Sequence, residues 1–213
     1  MEFIDKKIMD YCLEHTSLET DLLHKIHRET YLEVLQPRML SGNLQGRFLS
    51  FISKLKQPSS ILELGTFTGY SALCLAEGLA KEGTLITIDK NIELQKRVEG
   101  YFNESNFRQQ IKFIIGDALV ILDDLDLKFD LVFIDADKDN YLNYLKKIEP
   151  KLNVGAIVIA DNVLWSGKVV EPLNPKDIDT KNLLAFNKYV QESPLFENFL
   201  LPLRDGLLVF RKI

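Results

Sequence analysis

The chain is poor in cysteine: Cys12 and Cys74 are the only two in 213 residues, far apart and in no metal-type spacing. That counts against a zinc centre and leads us to expect a reducing, cytoplasmic compartment. It also lacks any apolar window approaching the roughly 20 residues that span a bilayer. The start, Met1-Glu2-Phe3-Ile4-Asp5-Lys6-Lys7, has no basic segment leading into an apolar run, so neither export nor membrane anchoring is expected. Clustered positive charge is scarce as well. With a net charge of -5 and nothing larger than pairs such as Lys146-Lys147, a nucleic-acid partner is not expected, because phosphate binding needs grouped Lys and Arg. Internal repeats and low-complexity stretches are absent.

What remains is a chain with 46% hydrophobic residues, long enough for a single α/β domain with a sizeable core. Residues 1–57 read as a helical cap: Thr16-Ser17-Leu18-Glu19 has the form of a capping box, and Leu18, Leu22 and Ile26 recur at four-residue spacing. From residue 58 to 213, strands and helices alternate. Strands are expected at Ser60–Leu64, Thr84–Ile88, Ile111–Ile115, Phe129–Ile134 and Gly155–Ala160, with a helix over Ala72–Ala80. Phe196–Leu203 and Leu207–Lys212 are separated only by Arg204-Asp205-Gly206, too short for a parallel crossover, so they form an antiparallel hairpin. The fold class expected is α/β: a Rossmann-like, doubly wound, mostly parallel seven-stranded sheet with a C-terminal antiparallel hairpin and an N-terminal helical cap. The polar stretch from Ser166 to Thr180, with Pro172 and Pro175, reads as a surface loop near the ligand site.

The stretch Ile61–Ser71 carries the most chemistry. An apolar strand runs into Glu63-Leu64-Gly65-Thr66-Phe67-Thr68-Gly69, where Gly65 and Gly69 allow close approach of a ligand. This Glu-x-Gly-x-x-x-Gly pattern is not the Gly-x-Gly-x-x-Gly that seats a pyrophosphate at a helix N-terminus. Phe67 stands where a glycine would be, and the Glu63 carboxylate suits a ligand with positive charge and no phosphates, such as S-adenosylmethionine. One unit later, Asp89 ends a strand about twenty residues past the turn, the placement of a ribose-binding carboxylate, although a strand-end Asp also serves as a helix N-cap. Gly116-Asp117-Ala118 closes the third strand, where backbone and carboxylate can read an adenine amino group.

The fourth and fifth strands end in Asp135-Ala136-Asp137-Lys138 and Asp161-Asn162. Ligands of open parallel sheets bind off the carboxyl ends of the strands, so these residues fall in the same region as the glycine turn. Asp135, Asp161 and Asn162 offer two carboxylates and an amide oxygen, hard ligands for Mg²⁺ (Ca²⁺ or Mn²⁺ being the other candidates), with no His or Cys beside them to favour zinc. Two facing carboxylates repel unless a cation or a nearby Lys intervenes, and Lys138 supplies the latter. Either Asp alone would also read as a helix cap or turn residue.

Three motifs now stand in order: Leu62–Ser71, Phe133-Ile134-Asp135-Ala136-Asp137-Lys138 and Asp161-Asn162-Val163-Leu164-Trp165-Ser166-Gly167. In these, and over nearly the whole chain from Met39 onward, the sequence resembles the caffeoyl-CoA and catechol O-methyltransferase family of class I enzymes. The resemblance implies that Glu63, Gly65, Thr66 and Ser71 hold the methionine part of S-adenosylmethionine, with Ser41 nearby. It places Asp89 on the ribose, Asp117 and Ala118 beside the adenine, and Asp137 at the cofactor's amino group. Asp135, Asp161 and Asn162 match the metal ligands, Asp135 also bordering the cofactor, and Lys138 matches the general base. The implied reaction is metal-dependent methylation of a catechol-like or phenylpropanoid-like small molecule with vicinal hydroxyls, by a homodimer. Two positions depart from the pattern. Ser166 replaces an Asn that follows the Trp in plant members, and Arg204 replaces the first glycine of a Gly-Asp-Gly turn, which leaves the substrate open. The rival readings are a metal-independent small-molecule methyltransferase, a nicotinamide-dependent dehydrogenase and a non-catalytic cofactor-binding protein.

Overall fold

A computed structural model describes residues 4–213. Helices α1 (Lys6–Glu14), α2 (Asp21–Glu33) and α3 (Gly42–Lys56) precede the sheet. The alternating part then runs β1 (Ser60–Leu64), α4 (Tyr70–Ala76), β2 (Thr84–Asp89), α5 (Gln95–Glu104), β3 (Ile111–Ile115), α6 (Ala118–Asp124), β4 (Phe129–Ile134), α7 (Tyr141–Ile148), β5 (Leu152–Ala160), α8 (Ile178–Glu192), β6 (Phe196–Leu201) and β7 (Leu207–Lys212). The strands form one sheet in the order β3-β2-β1-β4-β5-β7-β6. β1 pairs in parallel with β2 and β4, and β7 inserts antiparallel between β5 and β6. The order reverses between β1 and β4, which opens a crevice off the carboxyl ends of the strands.

Alternation along each strand sorts the core into two layers. Leu62, Leu64, Val132, Ile134, Val158 and Ala160 face α6, α7 and α8, together with Leu122, Tyr141, Leu145, Leu183 and Phe186. Ile61, Leu85, Leu131, Phe133 and Ile159 face α2 to α5, together with Leu23, Ile26, Leu49, Leu73 and Phe102. α3 lies especially close to α4. Ser53 donates through its hydroxyl to Leu75 O at 2.6 Å, Arg47 pairs with Glu77 at 2.7 Å, and a side chain at Gly78 would strike the backbone of Ser53 and Lys54.

Several expected boundaries move. The Thr16–Glu19 capping box is not used: α2 starts at Asp21 with Thr20 as its N-cap, while Thr16 donates back to Cys12 O, and Leu18 is 87% exposed. Glu19 is drawn away from the helix by Tyr70, whose hydroxyl donates to it at 2.5 Å. The helix expected over Ala72–Ala80 is α4, which begins earlier because Gly69 (φ 80°) caps it and ends before the Gly78 turn. β2 runs on to Asp89, since Gly116 N donates to Asp89 O. β5 begins at Leu152, not Gly155, passing through a register shift opposite Phe129–Leu131 near Gly155 (φ 74°). β6 stops at Leu201 because Pro202 follows and Leu203 N turns back to Leu201 O. Among the described residues no helix is long and apolar enough to cross a membrane.

Candidate active site

The strand parity that buries Ile61, Leu85, Leu131 and Ile159 carries on to Glu63, Thr87 and Asp89 within β1 and β2 and to Asp135 and Asp161 just past β4 and β5, so these polar side chains emerge on one face, towards α3 and α4. Glu63 and Thr87 are register partners on β1 and β2. The Thr87 hydroxyl donates to Glu63 Oε2 at 2.5 Å and lies 2.5 Å from the Thr66 hydroxyl. Glu63 is fully buried and its Oε1 has no hydrogen-bond partner. Burial drives its carboxyl up to about 8; the hydroxyls of Ser71 and Thr87 offset this only in part, and Ser71 does not complete a bond to Oε1.

The glycine turn is held by Asp89, whose Oδ2 accepts from Thr66 N at 2.9 Å and Phe67 N at 2.8 Å, while Oδ1 accepts from Asn91 N at 2.8 Å. Phe67 has a φ of 49°, unusual for a bulky residue, and the carboxylate on its amide anchors that conformation. Gly65 (φ 94°) is required twice over, because a side chain there would run into the Asp135 carbonyl of the adjoining strand. Asp117 caps α6 through Leu119 N at 2.8 Å, so Asp117 and Ala118 stand at the start of that helix. Ser41 is buried just ahead of α3.

On the other flank, Asp161 N donates to Ile134 O at 2.9 Å, which sets Asp135 and Asp161 side by side at the ends of β4 and β5. Asp161 is 4% exposed, and burial followed by the charge of Asp135 raises its carboxyl. Its Oδ2 accepts from Gln45 Nε2 at 2.7 Å and its Oδ1 from Asn162 N at 2.6 Å. Lys138 Nζ lies 3.1 Å from Asp135 Oδ1 and donates to the Tyr141 hydroxyl at 2.7 Å. Tyr141, fully buried, in turn donates to the carbonyls of Ile134 and Asp161, tying both strand ends together. Asp137 accepts from Asn140 at 2.5 Å and Tyr144 at 2.8 Å; burial opposes its charge, but these bonds outweigh burial and hold the carboxyl below its usual range.

Two of the expected groups are thus each brought together, the cofactor set around Glu63, Gly65, Thr66, Ser71 and Asp89, and the acceptor set around Asp135, Lys138, Asp161 and Asn162. Reading the sequence missed Gln45, Thr87, Tyr141 and Tyr144. Gln45 and Thr87 had a signal: each is a polar residue at a position whose neighbours on the same face, Leu49 of α3 and Leu85 of β2, are core. For the tyrosines nothing local distinguishes a packing ring from a positioning hydroxyl.

An unpartnered acid at the bottom of a cradle shaped by Gly65 fits a cofactor bearing an ammonium group. Among the described residues no cluster of three or more His, Cys, Asp or Glu side chains is set to hold a metal. The Asp135, Asp161 and Asn162 set has two carboxylates and one amide, a donor chemistry that fits a hard divalent cation with remaining positions left to water or substrate.

Residues 13–213 match the sequence profile of the O-methyltransferase family. Over 182 residues the chain is 36% identical to a caffeoyl-CoA O-methyltransferase of Eucalyptus globulus, covering 79% of this chain and 73% of that protein. A flavonoid 3',5'-methyltransferase of Vitis vinifera is 31% identical over 180 residues, with 79% and 77% covered. Among solved structures, the O-methyltransferase TomG of Streptomyces achromogenes in complex with S-adenosylmethionine superposes with a TM-score of 0.89 at 26% identity, covering 97% of this chain and 96% of that one. The methyltransferase PaMTH1 of Podospora anserina, bound to S-adenosylhomocysteine, gives 0.88 at 27% identity, with 97% and 94% covered.

Proposed function

The chain belongs to the O-methyltransferase family and is an S-adenosylmethionine-dependent enzyme of the caffeoyl-CoA type; from that premise we propose that it methylates a hydroxyl of a vicinal dihydroxy-aromatic small molecule with the help of a divalent metal. The observation that carries this reading is the side-by-side Asp135 and Asp161 with Asn162 and Lys138, next to the unpartnered Glu63.

In this reading the cradle of Gly65, Thr66 and Ser71, with Glu63 beneath it, receives the methionine end of the cofactor. Asp89, already organising the turn, takes the ribose through the one Oδ1 lone pair that its three backbone bonds leave free. Asp117 and Ala118 border the adenine, and Asp137 and Ser41 complete the enclosure. Asp135, Asp161 and Asn162 would hold Mg²⁺, or Ca²⁺ or Mn²⁺ in its place, and such an ion supplies stabilisation of a phenolate when it binds both hydroxyls. Tyr141 keeps the two strand ends in register. Phenols ionise near pH 10, so the hydroxyl needs a proton acceptor at neutral pH. Lys138 is the proposed acceptor. Its Nζ now donates to Asp135 and Tyr141, so the role requires the amine form with Asp135 engaged elsewhere. Fixing acceptor and donor in one crevice supplies much of the remaining acceleration.

One observation favours a second reading, metal-independent methylation: Lys138 already neutralises Asp135 without an ion. A methyl-transfer screen over catechols, hydroxycinnamoyl thioesters and flavonoids, with Mg²⁺ and with excess chelator, separates the two. Turnover of the diols that vanishes in chelator and returns with metal is expected, and full activity in chelator would overturn the metal. A cytoplasmic homodimer belongs to the same reading; the exposed Tyr31, Leu32, Phe51 and Leu55 of α2 and α3 offer apolar surface for a second copy, and sedimentation would test it.

A further inference from the structure

The turn between β6 and β7 grips two segments, one ahead of α3 and one after β5. Arg204, with a φ of 51°, reaches across to the segment ahead of α3: Nη1 donates to Leu40 O at 2.8 Å and to Ser41 O, and Nη2 donates to Arg38 O at 3.1 Å. The next two residues hold the segment after β5. Asp205 Oδ1 accepts from Ser166 N at 2.6 Å, Asp205 O from Leu164 N at 2.9 Å, and Gly206 O from Val163 N at 3.2 Å.

Apart from the buried Leu40 side chain, the segment Arg38–Ser41 has few other hydrogen bonds to hold it. Its backbone bonds are a single 3-10 turn, Met39 N to Gln36 O and Leu40 N to Pro37 O, and it lies between two left-handed residues, Gln36 (φ 56°) and Gly42 (φ 72°). Among the described residues, the only side-chain hydrogen bonds to its carbonyls come from Arg204. The buried side chains of Leu40 and Ser41 sit at the foot of α3, one turn before Gln45, which reaches Asp161. A planar guanidinium can hold three carbonyls at once through its fork of donors, whereas an ammonium or an aliphatic stem cannot.

We propose that Arg204 is a positioning residue that latches segment 38–41 closed over the cofactor side of the crevice and so sets how fast S-adenosylmethionine and its product leave. The proposal rests on the reading that Ser41 borders the cofactor. The Arg204 side chain bonds to segment 38–41 and not to Asp135, Lys138 or Asp161. Its removal acts first on binding and release; because the Arg204 charge also reaches Asp161, Arg204→Lys, which keeps the charge but not the fork of donors, separates the latch from any effect on the chemical step.

The test uses the full chain and S-adenosylhomocysteine as probe. Arg204→Met should release the probe about 10-fold faster and bind it correspondingly weaker, as expected when charge-assisted bonds are exchanged for water. Hydrogen exchange should rise over residues 36–46, while kcat at saturating S-adenosylmethionine stays within about 3-fold of the original unless release limits it, in which case kcat rises. Arg204→Lys should fall between, and it decides the question should the Met variant fail to fold. Folded variants with the original release rate and exchange pattern would overturn the latch, as would a loss confined to kcat. Failure of the unaltered protein to bind the probe would instead overturn the cofactor reading on which the latch rests.

Discussion

The two flanks of the crevice solve opposite problems. On the β1–β2 flank, neutral hydroxyls and backbone amides line a cradle whose one buried acid, Glu63, is left with an unpartnered oxygen. On the β4–β5 flank, the carboxylates are already answered from within, Asp135 by Lys138 and Asp161 by Gln45 and the Asn162 amide. The first flank has a debt of hydrogen bonding that a ligand settles. The second has its hydrogen bonds made from within, so a cation there must compete with the protein's own donors. Under the proposed function the contrast teaches that the cofactor side is ready-made, while the acceptor side is built to exchange partners.

Substitutions that attack the flanks separately should break the comparison cleanly. Asp161→Ala is expected to have the largest effect, loss of detectable methyl transfer with S-adenosylhomocysteine affinity within about 3-fold, since the change is confined to the acceptor flank; calorimetry and a turnover assay read both, and parallel loss of binding would show that the flanks are not independent. Lys138→Met should slow the chemical step by about 10²–10⁴-fold. The defect should shrink as pH rises and more phenol ionises in solution, so single-turnover rates from neutral to alkaline pH distinguish a base from an orienting charge. Asp89→Ala, on the cofactor flank, should weaken S-adenosylmethionine binding by about 1.5–3 kcal/mol, the usual worth of a charge-assisted bond, with turnover at saturation largely kept. That variant also frees the Thr66 and Phe67 amides, so a small loss of thermal stability should accompany it.

The subtlest consequence concerns the unpartnered acid. Glu63 titrates near 4.5 in the unfolded chain and about 8 in the folded protein, so across that interval the folded state binds the extra proton. Stability of the ligand-free protein should therefore be undiminished by Glu63 below pH 4.5, fall as pH rises from there towards 8, and level off beyond. Glu63→Gln should remove this part of the slope, and bound S-adenosylhomocysteine, whose ammonium favours the carboxylate, should flatten it. Denaturant unfolding at stepped pH measures both, and identical slopes for the two proteins would mean that Glu63 is charged in the fold.

The sheet was legible in the sequence because its signal is local. β1, β3, β4 and β7 lie where apolar runs and turn residues place them, and the acids at strand ends follow from parity alone, since Ile61 and Glu63, or Leu131 and Asp135, differ by an even number of positions. The capping motif at Thr16 failed for a different reason. Glu19 satisfies a tyrosine 51 residues away, a long-range demand that no local pattern reveals. Tyr141 is similar: its ring reads as core for α7, and only the paired strand ends show that its hydroxyl bridges them. Arg204 was visible as a departure from the family pattern, but the carbonyls it serves are more than 160 positions away.

The insertion of β7 between β5 and β6 has a bearing on how the molecule is made. A strand completed by residue 212 is interior, whereas β6, synthesised before it, sits at the edge and has no partner until β7 arrives. While the chain is still emerging from the ribosome, β5 presents an open, apolar margin, and the turn that fastens residues 38–41 and 163–166 does not yet exist. Vectorial folding can build the parallel strands from β1 to β5 as they appear, but the contacts of residues 204–206 with segments 38–41 and 163–166 form only after those residues have emerged. Until β7 pairs, β5 and β6 are both unprotected strand edges, so a chain interrupted within residues 207–212 is expected to be aggregation-prone.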